Sequence, residues 1–210
     1  LFFSLWSDGG GFPDVGTGLR SLLVEPSFRS ELSAVVEIAF DAARHETPRL
    51  SGSLAQVPLQ VHGRYQREEV LAALGYASLE RKPNSFREGV LYHEALNVDA
   101  FFVTLKKSES DYSPTTLYQD YPISPTLFHW ESQSTTSVAS RTGQRYVTGS
   151  SRVLLFVREE KQDEFGTAPY LFLGRARYVS HTGERPIALT WKLDVPMSSE
   201  FFNTASVAAQ

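Results

Sequence analysis

Tyr170 to Leu193 reads YLFLGRARYVSHTGERPIALTWKL, and it decides the fold class. Tyr170–Val179 and Ile187–Leu193 are rich in β-branched and aromatic residues, as strands are. Between them lies Ser180-His181-Thr182-Gly183-Glu184-Arg185-Pro186, whose Ser, Gly and Pro suit a hairpin loop. Outward from there the same texture recurs at Glu88–His93, Ala100–Lys106, Tyr118–Ile123, Leu127–Gln133 and Val153–Arg158. Turn residues separate these runs. Together they predict a mixed, mainly antiparallel β domain, closed or half-closed as a barrel.

The N-terminal part has a different period. Gly9-Gly10-Gly11-Phe12-Pro13 is a flexible break, and Leu19, Leu22 and Leu23 suggest a short helix after it. Pro26 suits a first turn, and Ser27 through Arg44 reads as a longer helix. Its Leu32, Val35, Val36, Ala39 and Phe40 follow helical spacing. Thr47-Pro48 ends it, and Ser51-Gly52-Ser53 is a linker. Leu59–His62 reads as a short strand. Gln66–Leu74 reads as a helix, with Glu68 and Glu69 where the macrodipole favours them and Gly75 at its end. The expectation is therefore an α+β chain. Residues 1–57 are expected to form a helical segment, 58–197 a β-barrel domain, and 198–210 a polar tail that frays.

Composition limits the function classes. A chain of 210 residues can hold one well-packed domain plus a small helical piece. The formal net charge of −4 gives no whole-molecule field that would draw the chain onto DNA, so any nucleic-acid contact needs a local patch. One candidate runs from Ser132 to Arg158, which holds Arg141, Arg145, Arg152 and Arg158 and no acid. Lys106 and Lys107 add a basic pair. A solvated loop and strand face explains the same charges equally well. Cysteine is absent, which excludes disulfides and thiolate metal sites and fits a reducing, cytoplasmic setting. No apolar run reaches membrane-spanning length. Leu1–Trp6 is apolar but lacks the basic flank of a signal peptide. With no Met at position 1, it predicts a piece of a longer protein.

Catalytic signatures are missing. Gly-Lys never occurs, so there is no phosphate-binding P-loop. His93-Glu94 lacks the second His of a zincin motif, and Gly16-Thr17-Gly18 lacks the third glycine of a dinucleotide fingerprint. No G-x-S-x-G elbow is present. His45, His62, His93, His129 and His181 are scattered without metal-ligand spacing. The chain is therefore expected to be no enzyme in its own right and to need no cofactor or metal. A hydrolase pairing His129 with Asp120 finds no support in the spacing.

Asp111 to Tyr146, DYSPTTLYQDYPISPTLFHWESQSTTSVASRTGQRY, has recognition character. It holds five aromatics besides Phe128, is dense in Ser, Thr and Gln, and has no acid after Glu131. Hydroxyls, amides and rings are what a nucleobase-binding surface requires.

Three runs together resemble one family. They are Phe101-Phe102-Val103-Thr104-Leu105-Lys106-Lys107-Ser108; the stretch from Asp111 to Tyr146, with Phe128-His129-Trp130-Glu131-Ser132-Gln133-Ser134; and Leu155-Phe156-Val157-Arg158 with Leu173-Gly174 and Gly183-Glu184-Arg185-Pro186. His62-Gly63-Arg64-Tyr65 with Glu68-Glu69 fits as well. This resembles the domain found at the C-terminus of bacterial superfamily 2 helicases, often behind a phospholipase-D-like nuclease. The match runs roughly from Leu59 to Pro196. The resemblance implies a module of modification-dependent (type IV) restriction enzymes with an SRA-like, PUA-related barrel. Such a module reads 5-methylcytosine or 5-hydroxymethylcytosine in double-stranded DNA, beside helicase and nuclease domains of the same parent chain and away from any membrane. A coupling domain without base specificity is the alternative.

For a flipped cytosine the pocket needs aromatic plates, an acceptor for the amino group, and donors for the carbonyl. Tyr118, Tyr121 and Trp130 can supply plates, Asp120 the acceptor, and Ser132 or Gln133 the donor. Strand alternation puts Phe128, Trp130 and Ser132 on one face and His129, Glu131 and Gln133 on the other. Trp130 thus reads equally as a core anchor, and Tyr118 with Asp120 as a surface pair or turn cap. Lys106, Lys107, Arg141 and Arg145 are the expected phosphate contacts, assisted by Ser113 and Thr115.

Overall fold

The structure, a computed structural model, describes residues 15–42, 48–78, 89–106 and 119–208. They fall into two compact units: Leu1–Thr47 with Ala77–Ser85, and Pro48–Tyr76 with Phe86–Gln210. The first unit contains α1 (Val15–Val24) and α2 (Pro26–Ala42). Pro26 opens α2, where its fixed φ and missing N–H cost nothing. Leu23, Val24, Val35, Val36 and Ile38 on these helices are exposed.

The second unit is built on one large sheet. Its strands are β1 (Arg64–Tyr65), β2 (Val90–His93), β3 (Val98–Thr104), β4 (Tyr121–Ser124), β5 (Leu127–Glu131), β6 (Arg152–Arg158), β9 (Tyr170–Thr182) and β10 (Ala188–Leu193). The small β7 (Gln162–Asp163) and β8 (Gly166–Thr167) form a separate hairpin. The sheet order is β2-β3-β6-β9-β10-β5-β4, and β1 pairs with β9. All pairings are antiparallel except β3 with β6. The expected hairpin is present: β9 pairs β10 from Thr182↔Ala188 to Ala176↔Leu193.

β9 organises the sheet because it is long enough to serve several partners. One edge meets β6, while the other meets β1 at its start and β10 at its end. The β6 register slips between Leu155 and Phe156, opposite Gly174 and Phe172. Gly174 sits there at φ 90°, and a Cβ on it would lie 3.1 Å from Val61 Cγ2. Only glycine meets both conditions without strain.

The sequence predicts a closed or half-closed barrel, and the sheet is not closed: β2 and β4 are its two edges. It is curled instead. Phe101 on β3 stacks on Trp130 on β5 with ring centroids 4.1 Å apart, although three strands separate them in the sheet. Side chains inside the curl, not backbone hydrogen bonds, bring the two ends together. That inner face carries Phe101, Val103, Phe128, Trp130, Leu155, Leu173, Leu189 and Trp191. The other face, over β3, β6 and the start of β9, buries Phe102, Leu154, Phe156 and Phe172. Leu59, Val61, Val70 and Leu71 of the segment around α3 (Arg67–Ala73) are buried as well. A capping box starts α3: Gln66 N–H donates to Glu69 Oε2 at 2.6 Å.

Two helices pack on the inner face. Arg141 and Arg145, expected to contact phosphate, lie on α4 (Arg141–Thr148). Ser140 Oγ caps it by accepting Gly143 N–H at 3.0 Å, and Tyr146 is buried against Phe101 and Trp130. The tail expected to fray forms α5 (Ser199–Ala208), anchored by buried Phe201 and Ala205 one turn apart. Hydrophobic anchoring at that spacing outweighs the polar composition around it. The strand expected at Leu59–His62 is instead an isolated bridge at Gln60, and the regular pairing falls at Arg64–Tyr65.

Candidate nucleic-acid interface

Cross-strand register builds the site. On the outer face of β9, β10, β5 and β4 the partners line up in rows. The middle row is Ser180, Thr190, His129 and Tyr121. On one side of it stand Thr182, Ala188 and Glu131; on the other stand Arg177, Lys192 and Leu127. Successive residues on one face of a strand are about 7 Å apart, and neighbouring strands about 5 Å. A row of hydroxyls and rings is therefore flanked by an acid on one side and cations on the other. Ser180, Thr182, Arg177 and Lys192 are exposed; Tyr121, His129, Glu131, Thr190 and Ala188 are half-buried.

Tyr121 and His129 form a stacked pair, centroids 4.6 Å apart and planes 23° apart. His129 Nε2 is 4.0 Å from Glu131 Oε1, and Glu131 Oε2 accepts Gln119 N–H at 3.3 Å. This arrangement offers a π surface next to a carboxylate held in place by its own strand and by the chain entering β4. Such a pairing can stack a planar base and accept a hydrogen bond from an amino group.

The nominated pocket residues do not converge. Tyr121 lies half-buried in the middle row, and Gln133 is exposed beyond the end of β5. Trp130 is buried in the core against Phe101, and Ser132 is fully buried. Ser132 Oγ accepts Ile187 N–H at 2.9 Å, joining the end of β5 to the start of β10. Asp120 is buried, and its Oδ1 accepts Glu131 N–H at 3.0 Å, so it secures the β5 edge. Tyr118 lies outside the described residues, as do Lys107, Ser113 and Thr115.

The nominated phosphate contacts are scattered too. Lys106 follows β3 and pairs with Glu160 at 2.8 Å; that hydrogen bond and charge raise its pKa. Arg141 is exposed at the start of α4. Arg145 is a structural cation. It makes two hydrogen bonds, 3.1 and 3.0 Å, to fully buried Asp99 and lies 3.8 Å over the Tyr92 ring. Burial disfavours its charge, but the Asp99 hydrogen bonds and charge prevail and raise its pKa. Ser151 Oγ also donates to Asp99. The group binds α4 to β3 and holds Arg145 against the buried Asp99 carboxylate. Among the described residues, no three His, Asp or Glu side chains gather to hold a metal ion.

The family model for "Domain of unknown function (DUF3427)" matches residues 59–205. The chain belongs to this family. The DUF3427 region takes in every strand of the sheet, α3, α4 and most of α5, and with them the whole outer-face site; α1 and α2 precede it. No curated protein matches the chain. Among solved structures it is similar to Arabidopsis thaliana SUVH6 in complex with SAM. The identity is 12% and the TM-score 0.38, over 82% of this chain and 32% of that one. The chain thus spans about a third of that SUVH6 chain, and a likeness at this level carries no argument about ligand or activity.

Within the DUF3427 region the sequence reading missed His129, Glu131, Thr190 and Ser180 as a group. The signal for the first two was available: alternation sends both outward once Phe128 and Trp130 point inward. Thr190 and Ser180 join only through strand order, which nothing in the sequence prints.

Proposed function

We propose that this chain is a DNA-recognition module for modified cytosine, 5-methyl or 5-hydroxymethyl, and that the outer face around Tyr121 is where the base is read. The parent protein is an ATP-dependent restriction enzyme, whose helicase and nuclease domains supply motion and cutting; this module has no catalytic step of its own. The observation that carries the reading is the half-buried Tyr121–His129 stack beside the Glu131 carboxylate. The resemblance to helicase-associated domains supports the context.

The energetics demand a surface of this kind. Flipping a base costs a few kcal/mol. Stacking returns roughly 1–3 kcal/mol per base. One buried methyl adds only about 0.8 kcal/mol. Most of the binding must therefore come from stacking and edge hydrogen bonds, with the methyl setting a modest preference. Tyr121 provides the plate, Glu131 the acceptor for the cytosine amino group, and exposed Gln133 a donor for its carbonyl.

A second reading is a coupling module without base specificity. The exposed Leu23, Val24, Val35, Val36 and Ile38 of α1 and α2 favour it. A shift assay on two duplexes differing only in one cytosine modification separates the readings. Tighter binding to the modified duplex supports the first. Equal binding overturns it and leaves the coupling role.

A further inference from the structure

We infer that Lys192, with Thr190 and Ser180 beside it, binds a DNA phosphate and so fixes which way a nucleotide lies across the Tyr121–His129 plate. This rests on the proposed reading of the same face and adds its orientation.

The outer face is polarised in one direction. Glu131 stands in the row on one side of His129, and Leu127, partner of Lys192, stands in the row on the other. The acid and the cations are thus about two row spacings apart, roughly 14 Å along the strands, with the rings between them. A nucleotide has the complementary pattern: an anionic phosphate at one end and, in cytosine, an amino donor at the other. Placed on this face, the amino group meets Glu131 and the phosphate meets the Arg177–Lys192 row. The reverse placement would set phosphate against carboxylate.

The two cations of that row are not equivalent. Arg177 is bound to Asp194 by hydrogen bonds of 2.6 and 3.2 Å. That pairing neutralises the acid that would otherwise repel a phosphate. Lys192 is exposed and forms no ion pair among the described residues. Its flexible stem can carry a point charge to a phosphate oxygen. One step inward on the same face, the Thr190 hydroxyl can donate, and Ser180 is its cross-strand partner. None of these contacts reads sequence; they set register and orientation.

The test is the salt dependence of binding, measured by fluorescence anisotropy on the full chain. The probes are two duplexes that differ in one 5-methylcytosine. Lys192→Gln should weaken both complexes by the same factor and leave their ratio unchanged. It should also make the slope of log K against log salt shallower by about one. Lys192→Arg should keep the parent slope. Lys161→Gln, which removes a charge beside the remote β7–β8 hairpin, should keep it too. A parent-like slope in Lys192→Gln, with preference for the methylated duplex intact, overturns this inference alone. An equal fall in slope for Lys161→Gln also overturns it, by showing a general field effect. No preference in the parent chain overturns the reading on which the inference rests.

Discussion

Phe101 on β3 and Trp130 on β5 lie ring on ring, with planes 24° apart, while β6, β9 and β10 run between their strands. Tyr146 from α4 meets both rings edge-on, at 5.3 and 5.6 Å. A curled sheet held by side chains should weaken at this point. Trp130→Ala removes the larger ring from a packed interior and should cost about 3–5 kcal/mol. Paired with Phe101→Ala, the losses should be non-additive by about 0.5–3 kcal/mol. Urea unfolding of the two single variants and the double variant checks both. Full additivity would mean that the stack does not hold the curl.

The Asp99–Arg145 pair gives a second expectation. Asp99 is fully buried, and the Arg145 side chain is 15% exposed. Arg145→Ala leaves a buried carboxylate without its cation, which should cost about 3–5 kcal/mol. Arg141→Ala, one turn earlier and exposed, should change stability by less than about 0.5 kcal/mol. Denaturant midpoints compare them. Similar small effects would return Arg145 to the surface role that the sequence suggested.

Tyr146 makes alkaline stability a readout. Burial raises the pKa of its phenol, the Asp99 charge raises it further, and Arg145 lowers it in part. The folded value therefore lies above the unfolded value of about 10. Between the two, the unfolded chain has lost a proton that the folded chain keeps. This contribution is fully present below about pH 10 and is lost as pH rises beyond it. Tyr146→Phe should show a shallower loss of stability above pH 10 than the parent. Urea unfolding at a series of alkaline pH values measures it, and identical slopes would contradict a buried, neutral Tyr146.

Much of the architecture was legible because it follows from local rules. The β9–β10 hairpin, the helix expected at Gln66–Leu74, and the opposite facing of Trp130 and His129 each depend on periodicity or neighbouring residues. What could not be read depends on distant partners. Ser132 looks like a base contact until strand order puts Ile187 N–H against its hydroxyl. Arg145 looks like a phosphate contact until β3 brings Asp99 beneath it. Asp120 looks like an acceptor for cytosine, yet the β4–β5 pairing offers it the Glu131 amide first. Polar residues in a recognition-like stretch satisfy buried backbone groups before they meet a ligand, because an orphaned buried amide costs about 1–3 kcal/mol. The same pairing brings Tyr121 over His129, and the surface that survives is the outer row.

The most direct test of the base-reading claim is the ratio of dissociation constants for one duplex carrying either 5-methylcytosine or cytosine. It is measured for the parent chain and for Tyr121→Ala. One buried methyl group, contributing about 0.8 kcal/mol, predicts a parent ratio of about fourfold, collapsing toward one in Tyr121→Ala while the fold persists. A parent chain that binds the two duplexes equally, or a Tyr121→Ala variant that keeps the parent ratio, would contradict it.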